Sequence, residues 1–185
     1  MITPMALTLR LRTRRRPGWW EIGRRAAIRA ARSVPAVEVA EFTSDRQAEV
    51  RALILDGLGE RWGSIDESLN PDLDDIASSY AQGRVLVVLD DDRVIGTGSI
   101  VSRDMDSAEL LRMSVAPSHR RRGVARLIVA SLLDIARGWS AQRVVCETTS
   151  DWMSAKQLYL SCGFRLTHEV DGAFGRDSYF EYLIG

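Results

Sequence analysis

The 185-residue chain is predicted to fold as an α/β domain of the α+β type, a mixed and mostly antiparallel central sheet flanked by helices. Three observations carry this prediction. Apolar runs of strand length alternate along the chain with segments whose apolar residues recur at helical spacing. Two pairs of strand-like runs lie close together near residues 85–101 and 164–184, and the first pair flanks the turn Asp90-Asp91-Asp92. One long amphipathic segment, opening at Val124, lies between two further strand-like runs.

Taken in order, residues 37–42 alternate in strand fashion. Ser44 followed by Gln47 is a capping-box signature, and Val50, Leu53, Ile54 and Leu58 then repeat at helical spacing. Gly57 and Gly59 are expected to end that helix, leaving Arg61 and Trp62 in a loop. Asn70-Pro71 reads as a cap plus a first-turn proline, and Asp72, Asp74 and Asp75 favour a second helix through about Tyr80. Residues 85–89 and 94–101 form a hairpin. A mostly apolar strand follows over residues 110–115, then a basic turn closing on Gly123. In the helix from Val124 the apolar stripe is Val124, Leu127, Ile128, Leu132 and Ile135, and Gly138 terminates it. Residues 143–148 read as a strand, 154–160 as a short helix ended by Gly163, and 164–170 with 179–184 as a final pair of strands. There is no internal repeat.

The length fits one domain with a substantial core. A formal net charge of zero conceals an asymmetry. Residues 1–35 hold nine arginines and one acid, Glu21, whereas residues 36–185 carry 16 basic and 24 acidic residues. The first 35 residues are therefore read as an Arg-rich extension and residues 36–185 as the domain proper. The extension lacks the uninterrupted apolar core of a secretory signal, although its composition is like that of an organellar transit peptide. Residues 19–32 could form a basic helix touching nucleic acid or a membrane surface; the alternative is a disordered extension or an over-long start. No apolar run approaches the roughly 20 residues a transmembrane helix needs. Cys146 and Cys162 are read as free thiols of a cytoplasmic protein, and with only His119 and His168 beside them no metal is expected.

The stretch from Glu109 to Arg137 organises the chain. A strand feeding a short loop that opens a helix leaves the first N–H groups of that helix unpaired. With the positive end of the helix dipole they suit a phosphate-bearing ligand. Arg120, Arg121 and Arg122 add charge, and Gly123 has no Cβ to hinder close approach of a ligand to the backbone.

Arg120-x-x-Gly123-x-Ala125 resembles the pyrophosphate loop of the GCN5-related N-acetyltransferases (GNAT), Gln/Arg-x-x-Gly-x-Gly/Ala. Ala155-x-x-Leu158-Tyr159-x-x-x-Gly163-Phe164 is similar to a second segment of that family, and Arg-Met-Ser-Val-Ala-Pro (112–117) is similar to its lead-in to the loop. The element order matches over about residues 37–184. The Walker Gly-Lys-Ser/Thr and the Rossmann Gly-x-Gly-x-x-Gly are both absent. The resemblance implies an acyl-CoA N-acyltransferase fold, acetyl-CoA as acetyl donor and a primary amine, of a small molecule or a protein, as acceptor. It further implies that backbone groups of Met113, Ser114 and Val115 hold the pantetheine arm. Around the pyrophosphate it places Arg120, Arg121, Arg122, Gly123, Val124 and Ala125. Where the family often has an Asn on the cofactor arm this chain has Trp152, so that contact is either missing or made by a hydroxyl such as Ser154.

Acetyl transfer needs an acid for the leaving thiolate and a base for the amine. A phenol, with a pKa of about 10, is matched to a thiol, which makes Tyr159 the candidate acid. Glu109 opens the central strand eleven residues before Arg120, where the histone-acetyltransferase branch also has its catalytic Glu. Burial beside an apolar strand disfavours the charged form of a carboxylate, which suits a base working near neutrality. Glu147 is the second candidate, and bulk water a third. Arg61, Trp62, Asp72 and the turn over residues 171–177 are the candidates for shaping the acceptor cleft. Two other functions compete, a catalytically silent acyl-CoA-binding regulatory module and a nucleic-acid-associated protein using the basic extension. Either a monomer or a homodimer fits the sequence.

Overall fold

The structure, a computed structural model, describes residues 37–172 and 175–185. The expectations for residues 1–35, and for residues 173 and 174 of the last turn, lie outside the described residues. Seven strands form one sheet in the order β1-β2-β3-β4-β5-β7-β6. They are β1 (Glu38–Glu41), β2 (Gly83–Asp90), β3 (Arg93–Ser102), β4 (Ser107–Val115), β5 (Arg143–Thr149), β6 (Arg165–Gly172) and β7 (Gly175–Leu183). Only β4 and β5 pair in parallel; every other neighbour is antiparallel. The α-helices among the described residues are α1 (Gln47–Trp62), α2 (Ile76–Ser79), α3 (Val124–Gly138) and α4 (Met153–Ser161).

Two apolar clusters lie on the two faces of the sheet. On one face α1, the 3-10 turn Pro71–Leu73 and α2 cover Val85 and Val87 with Val50, Ile54, Leu73 and Ile76. On the other, α3 and α4 pack against Leu86, Val88, Ile100, Ala108, Leu110, Val144 and Cys146. The buried stripe of α3 is Val124, Ile128, Val129, Leu132, Leu133 and Ala136. Leu127, expected in that stripe, is 37 % exposed because the helix is rotated toward Val129 and Leu133. This rotation brings Ile128 onto Gly98 of β3, where an added Cβ would stand 2.6 Å from Ile128 and 2.5 Å from the Met113 sulfur.

Other boundaries moved for identifiable reasons. α1 runs through Gly57 and Gly59 and stops only at Gly63, whose φ of +82° is left-handed. Gly57 is helical because α1 rests on β4: a Cβ there would lie 2.9 Å from Ser114 Oγ. Arg61 and Trp62 therefore belong to the helix and not to a loop. The expected capping box does not form. Ser44 starts a short 3-10 turn, and the Gln47 side chain instead donates to Leu73 O at 2.8 Å and accepts from Ile76 N–H at 3.0 Å. Asn70-Pro71 opens a 3-10 turn, while α2 itself is capped by Asp75, which accepts from Ser78 N–H.

Candidate functional site

The site begins where β4 and β5 part. They pair only as Ser107–Arg143, Ala108–Val144 and Glu109–Val145. Beyond Glu109 the β4 edge that faced β5 has no strand partner among the described residues, which leaves its backbone groups available to a ligand. The parting coincides with a one-residue bulge on β4, since Ser99 faces Leu111 but Thr97 faces Ser114. A bulge bends and twists its strand. Arg112 sits in it with φ of +53°, left-handed for a residue with a side chain.

The bulge is held from the α1–α2 side. Arg112 donates through Nε to Asp72 at 2.8 Å, through a second nitrogen to the same carboxylate, and to Asn70 Oδ1 at 2.8 Å. Tyr80 O–H also donates to Asp72, at 2.7 Å. Burial and the Asp72 bond push the Tyr80 phenol up to about 12. Asp72 is therefore committed to supporting β4 and is not a free group of an acceptor cleft. Arg112→Ala is expected to cost about 2 kcal/mol, below the value for a fully buried pair because both partners retain some exposure; the shift of the urea midpoint measures it.

At the end of β4 the chain enters the basic turn. Arg120 folds back, donating to Val115 O at 2.9 Å and pairing with Glu60 at 2.6 Å. His119 Nε2 lies 2.9 Å from Asp90 and fastens the turn to β2. Arg121 and Gly123 both take left-handed backbone, with φ of +62° and +90°. Nothing lies within 4 Å of a Cβ built on Gly123. The first turn of α3 closes only with Leu127 N–H to Gly123 O at 3.0 Å, so the N–H groups of Val124, Ala125 and Arg126 donate to no described backbone carbonyl. Arg121 and Arg122 are exposed and form no ion pair with a described residue. These unpaired donors, the dipole and the open Gly123 fit a diphosphate.

The candidate acid and bases lie on opposite faces of the sheet. Tyr159 is buried on the α3–α4 face, its ring 5.6 Å from Phe164 and 5.7 Å from Phe180. Its hydroxyl lies beside the Cys146 thiol, and burial raises both groups well above their ordinary values. Ala108 and Leu110 belong to the same cluster, so the strand alternation turns Glu109 to the other face. There Glu109 and Glu147 line one cavity of about 420 Å³ with Arg103, Arg143, His168 and Tyr179. Glu109 is buried, as expected, but not in apolar surroundings: Arg103 Nε and Nη2 hold its two oxygens at 2.7 and 2.9 Å. His168 stacks on Tyr179 at 4.6 Å.

The remaining predicted residues are placed as follows. Met113 and Val115 pack into the α3-side cluster. Ser114 donates its hydroxyl to Leu53 O at 2.9 Å, leaving only its backbone for a ligand. Ser154 is exposed in the first turn of α4. Arg61 reaches from the end of α1 to the end of β5, where it donates to Thr149 at 3.3 Å and pairs with Asp151. Its guanidinium stacks 4.5 Å from the Trp62 ring and lies 6.0 Å from Trp152. Trp152 thus belongs to a clasp joining the far ends of the two parted halves.

The sequence reading missed Arg103, Arg112, His168 and Tyr179 as site residues. An Arg and a Glu flanking the Asp-rich turn at 104–106 were a usable signal for the Arg103–Glu109 pair. Nothing in the sequence marked Arg112 as left-handed.

Below the clasp, Glu169 ties β6 to the start of α4, accepting from Ser178 at 2.7 Å, Lys156 at 2.9 Å and Ser150 at 3.1 Å. The Ser178 bond, then those of Lys156 and Ser150, lower its carboxyl from 4.5 to about 2. A depressed acid stabilises the fold above its unfolded pKa and loses that contribution as pH falls through its folded one. Stability is therefore expected to decline between pH 4.5 and about 2. Denaturant midpoints against pH should show this slope in the native chain and a flatter one in Glu169→Gln.

A sheet that parts between its two parallel strands, with a long helix following the first of them and opening on unpaired N–H groups, is the acyl-CoA N-acyltransferase fold. The sequence model of the acetyltransferase (GNAT) family matches residues 48–164, well over half of the chain, and the chain belongs to that family. Among solved structures, a GNAT acetyltransferase from Staphylococcus aureus Mu50 superposes with a TM-score of 0.69 at 19% identity, over 78% of this chain and 98% of the other. A GNAT acetyltransferase from Elizabethkingia anophelis with acetyl-CoA bound gives 0.63 at 15% identity, over 80% and 98%. Among curated relatives, N-acetyltransferase 8F1 of Rattus norvegicus is 32% identical over 117 residues, 59% of this chain and 53% of that protein. N-acetyltransferase 8B of Homo sapiens is 33% identical over 111 residues, 56% and 49% respectively. The chain thus spans about half the length of these relatives. Among the described residues no helix is long and apolar enough to cross a membrane, and no group of His, Cys, Asp or Glu is placed to hold a metal.

Proposed function

We propose that this protein transfers an acetyl group from acetyl-CoA to a primary amine by direct attack. The observation that carries the reading is the open β4 edge leading to the unpaired N–H groups at the start of α3. Backbone groups of Met113, Ser114 and Val115 would hold the pantetheine arm, and the turn from Arg120 to Ala125 the pyrophosphate. Bound acetyl-CoA supplies an activated thioester. Glu109 takes the proton of the amine, with Glu147 on the same cavity as the second candidate and bulk water as the third. Tyr159 donates a hydrogen bond to the departing sulfur, which requires its hydroxyl to turn away from Cys146.

A second reading has an observation in its favour. Glu109 is engaged by Arg103 and Tyr159 is buried against Cys146, as a catalytically silent acyl-CoA-binding module would tolerate. One experiment separates the two. The purified protein is given acetyl-CoA and a panel of amines, amino acids and peptides, and thiol release is followed. Release that depends on one class of acceptor supports the enzyme. Acetyl-CoA binding without release from any acceptor supports the silent module.

A further inference from the structure

The cavity is lined by four carboxylates, Asp104, Glu109, Glu147 and Glu181, and by two guanidinium groups, of which Arg103 serves Glu109. The Glu109 side chain is 11 % exposed, whereas that of Arg103 is 56 % exposed. The second guanidinium of the lining, that of Arg143, faces Glu181 at 3.8 Å. Glu147 forms no ion pair with a described residue. The carboxylate is thus the fixed and buried partner, and the guanidinium is the one on a long stem reaching in from the β3–β4 turn. We propose that Arg103 fills the cation subsite of the acceptor cleft, and that the acceptor enters as a protonated primary amine by displacing it.

The physical reason is the asymmetry of the pair. A buried carboxylate needs a cation with hydrogen bonds, and leaving it alone is costly. Arg103 can swing into water at modest cost, because its side chain is already 56 % exposed. Exchanging one cation for another keeps Glu109 compensated, so a protonated amine can compete for the place. A neutral molecule of the same shape cannot. Glu147 adds a second negative charge to the entering ammonium, and the stacked His168–Tyr179 pair offers a ring surface to its stem. Delivery of the ammonium to Glu109 also places it against the candidate base. The assignment of this subsite to the acceptor rests on the acetyl-transfer reading; the cation subsite itself does not.

The test uses the full chain, with 2-phenylethylamine as the cationic probe and 2-phenylethanol as its neutral counterpart at equal ionic strength. Arg103→Ala vacates the subsite and is expected to bind the amine at least tenfold more tightly than the native chain in calorimetry. The amine should also raise the Tm of Arg103→Ala more than that of the native chain, and the alcohol should do neither. Adding Glu147→Gln to Arg103→Ala should weaken the amine about tenfold. Equal affinity of the amine for Arg103→Ala and the native chain, or an alcohol that matches the amine, overturns the proposal. Should Arg103→Ala fold only with help, refolding in amine but not in alcohol supports it, and refolding in both or neither overturns it. Acetyl-CoA is titrated separately into the same proteins. Retained acetyl-CoA binding with no gain for the amine sinks the subsite alone. A gain for the amine in a chain that binds no acetyl-CoA sinks the acetyl-transfer reading and leaves the subsite.

Discussion

Gly123→Glu is expected to weaken acetyl-CoA binding by about a thousandfold, as read by calorimetric titration. The carboxylate would enter the space in front of the first N–H groups of α3, where a Cβ meets nothing within 4 Å. Against a diphosphate about 4 Å away, like charges at an effective dielectric of 20 repel by about 4 kcal/mol, which is about a thousandfold in affinity. The substitution also forces a side chain into φ of +90°, at a cost of about 1–2 kcal/mol to the fold. Gly123→Ala carries the same backbone penalty without the charge, so its affinity should fall by no more than about fivefold. Undiminished binding to Gly123→Glu would remove the pyrophosphate from this turn.

The second large effect is expected from Tyr159→Phe, a fall in kcat of about a hundredfold, the lower range for a lost general acid. Acetyl-CoA affinity should stay within about twofold, because Phe keeps the packing on Phe164 and Phe180 and removes only the hydroxyl. Burial raises the phenol, so Tyr159 keeps its proton throughout the neutral range and acts as a neutral donor. Its loss should lower kcat without moving the pH profile between pH 6 and about 8. An unaltered kcat would show Tyr159 to be a packing residue.

These two residues differ in how readable they were. Gly123 stands in a turn whose shape follows from local backbone chemistry, and it lies immediately before α3 with left-handed backbone. Tyr159 was legible as a helix residue in a family-like segment, but its partner was not. That the hydroxyl would lie beside Cys146, on the face away from Glu109, depends on side-chain alternation along β4 and β5 and on which face α4 covers. Glu109 shows the same division: its burial on β4 was expected, although the strand starts two residues earlier at Ser107, whereas its guanidinium partner was not.

What the sequence by itself determined is the order of elements, the two hairpins, the long amphipathic helix and the turn that starts it. These are set by apolar periodicity, by turn residues and by glycine, all of which act over a few neighbouring positions. Even there, helix ends followed tertiary demands, as at Gly57, which stays helical because β4 presses against it. Only the tertiary structure decided that Asp72 supports the bulge through Arg112, that Arg61 clasps the end of β5, and that Arg103 holds both oxygens of Glu109. Each of these is a long cationic side chain choosing among several acids. In a chain with 24 arginines outnumbering every other basic residue, the partner is set by which carboxylate the fold buries within reach, and burial is a property of the packed sheet.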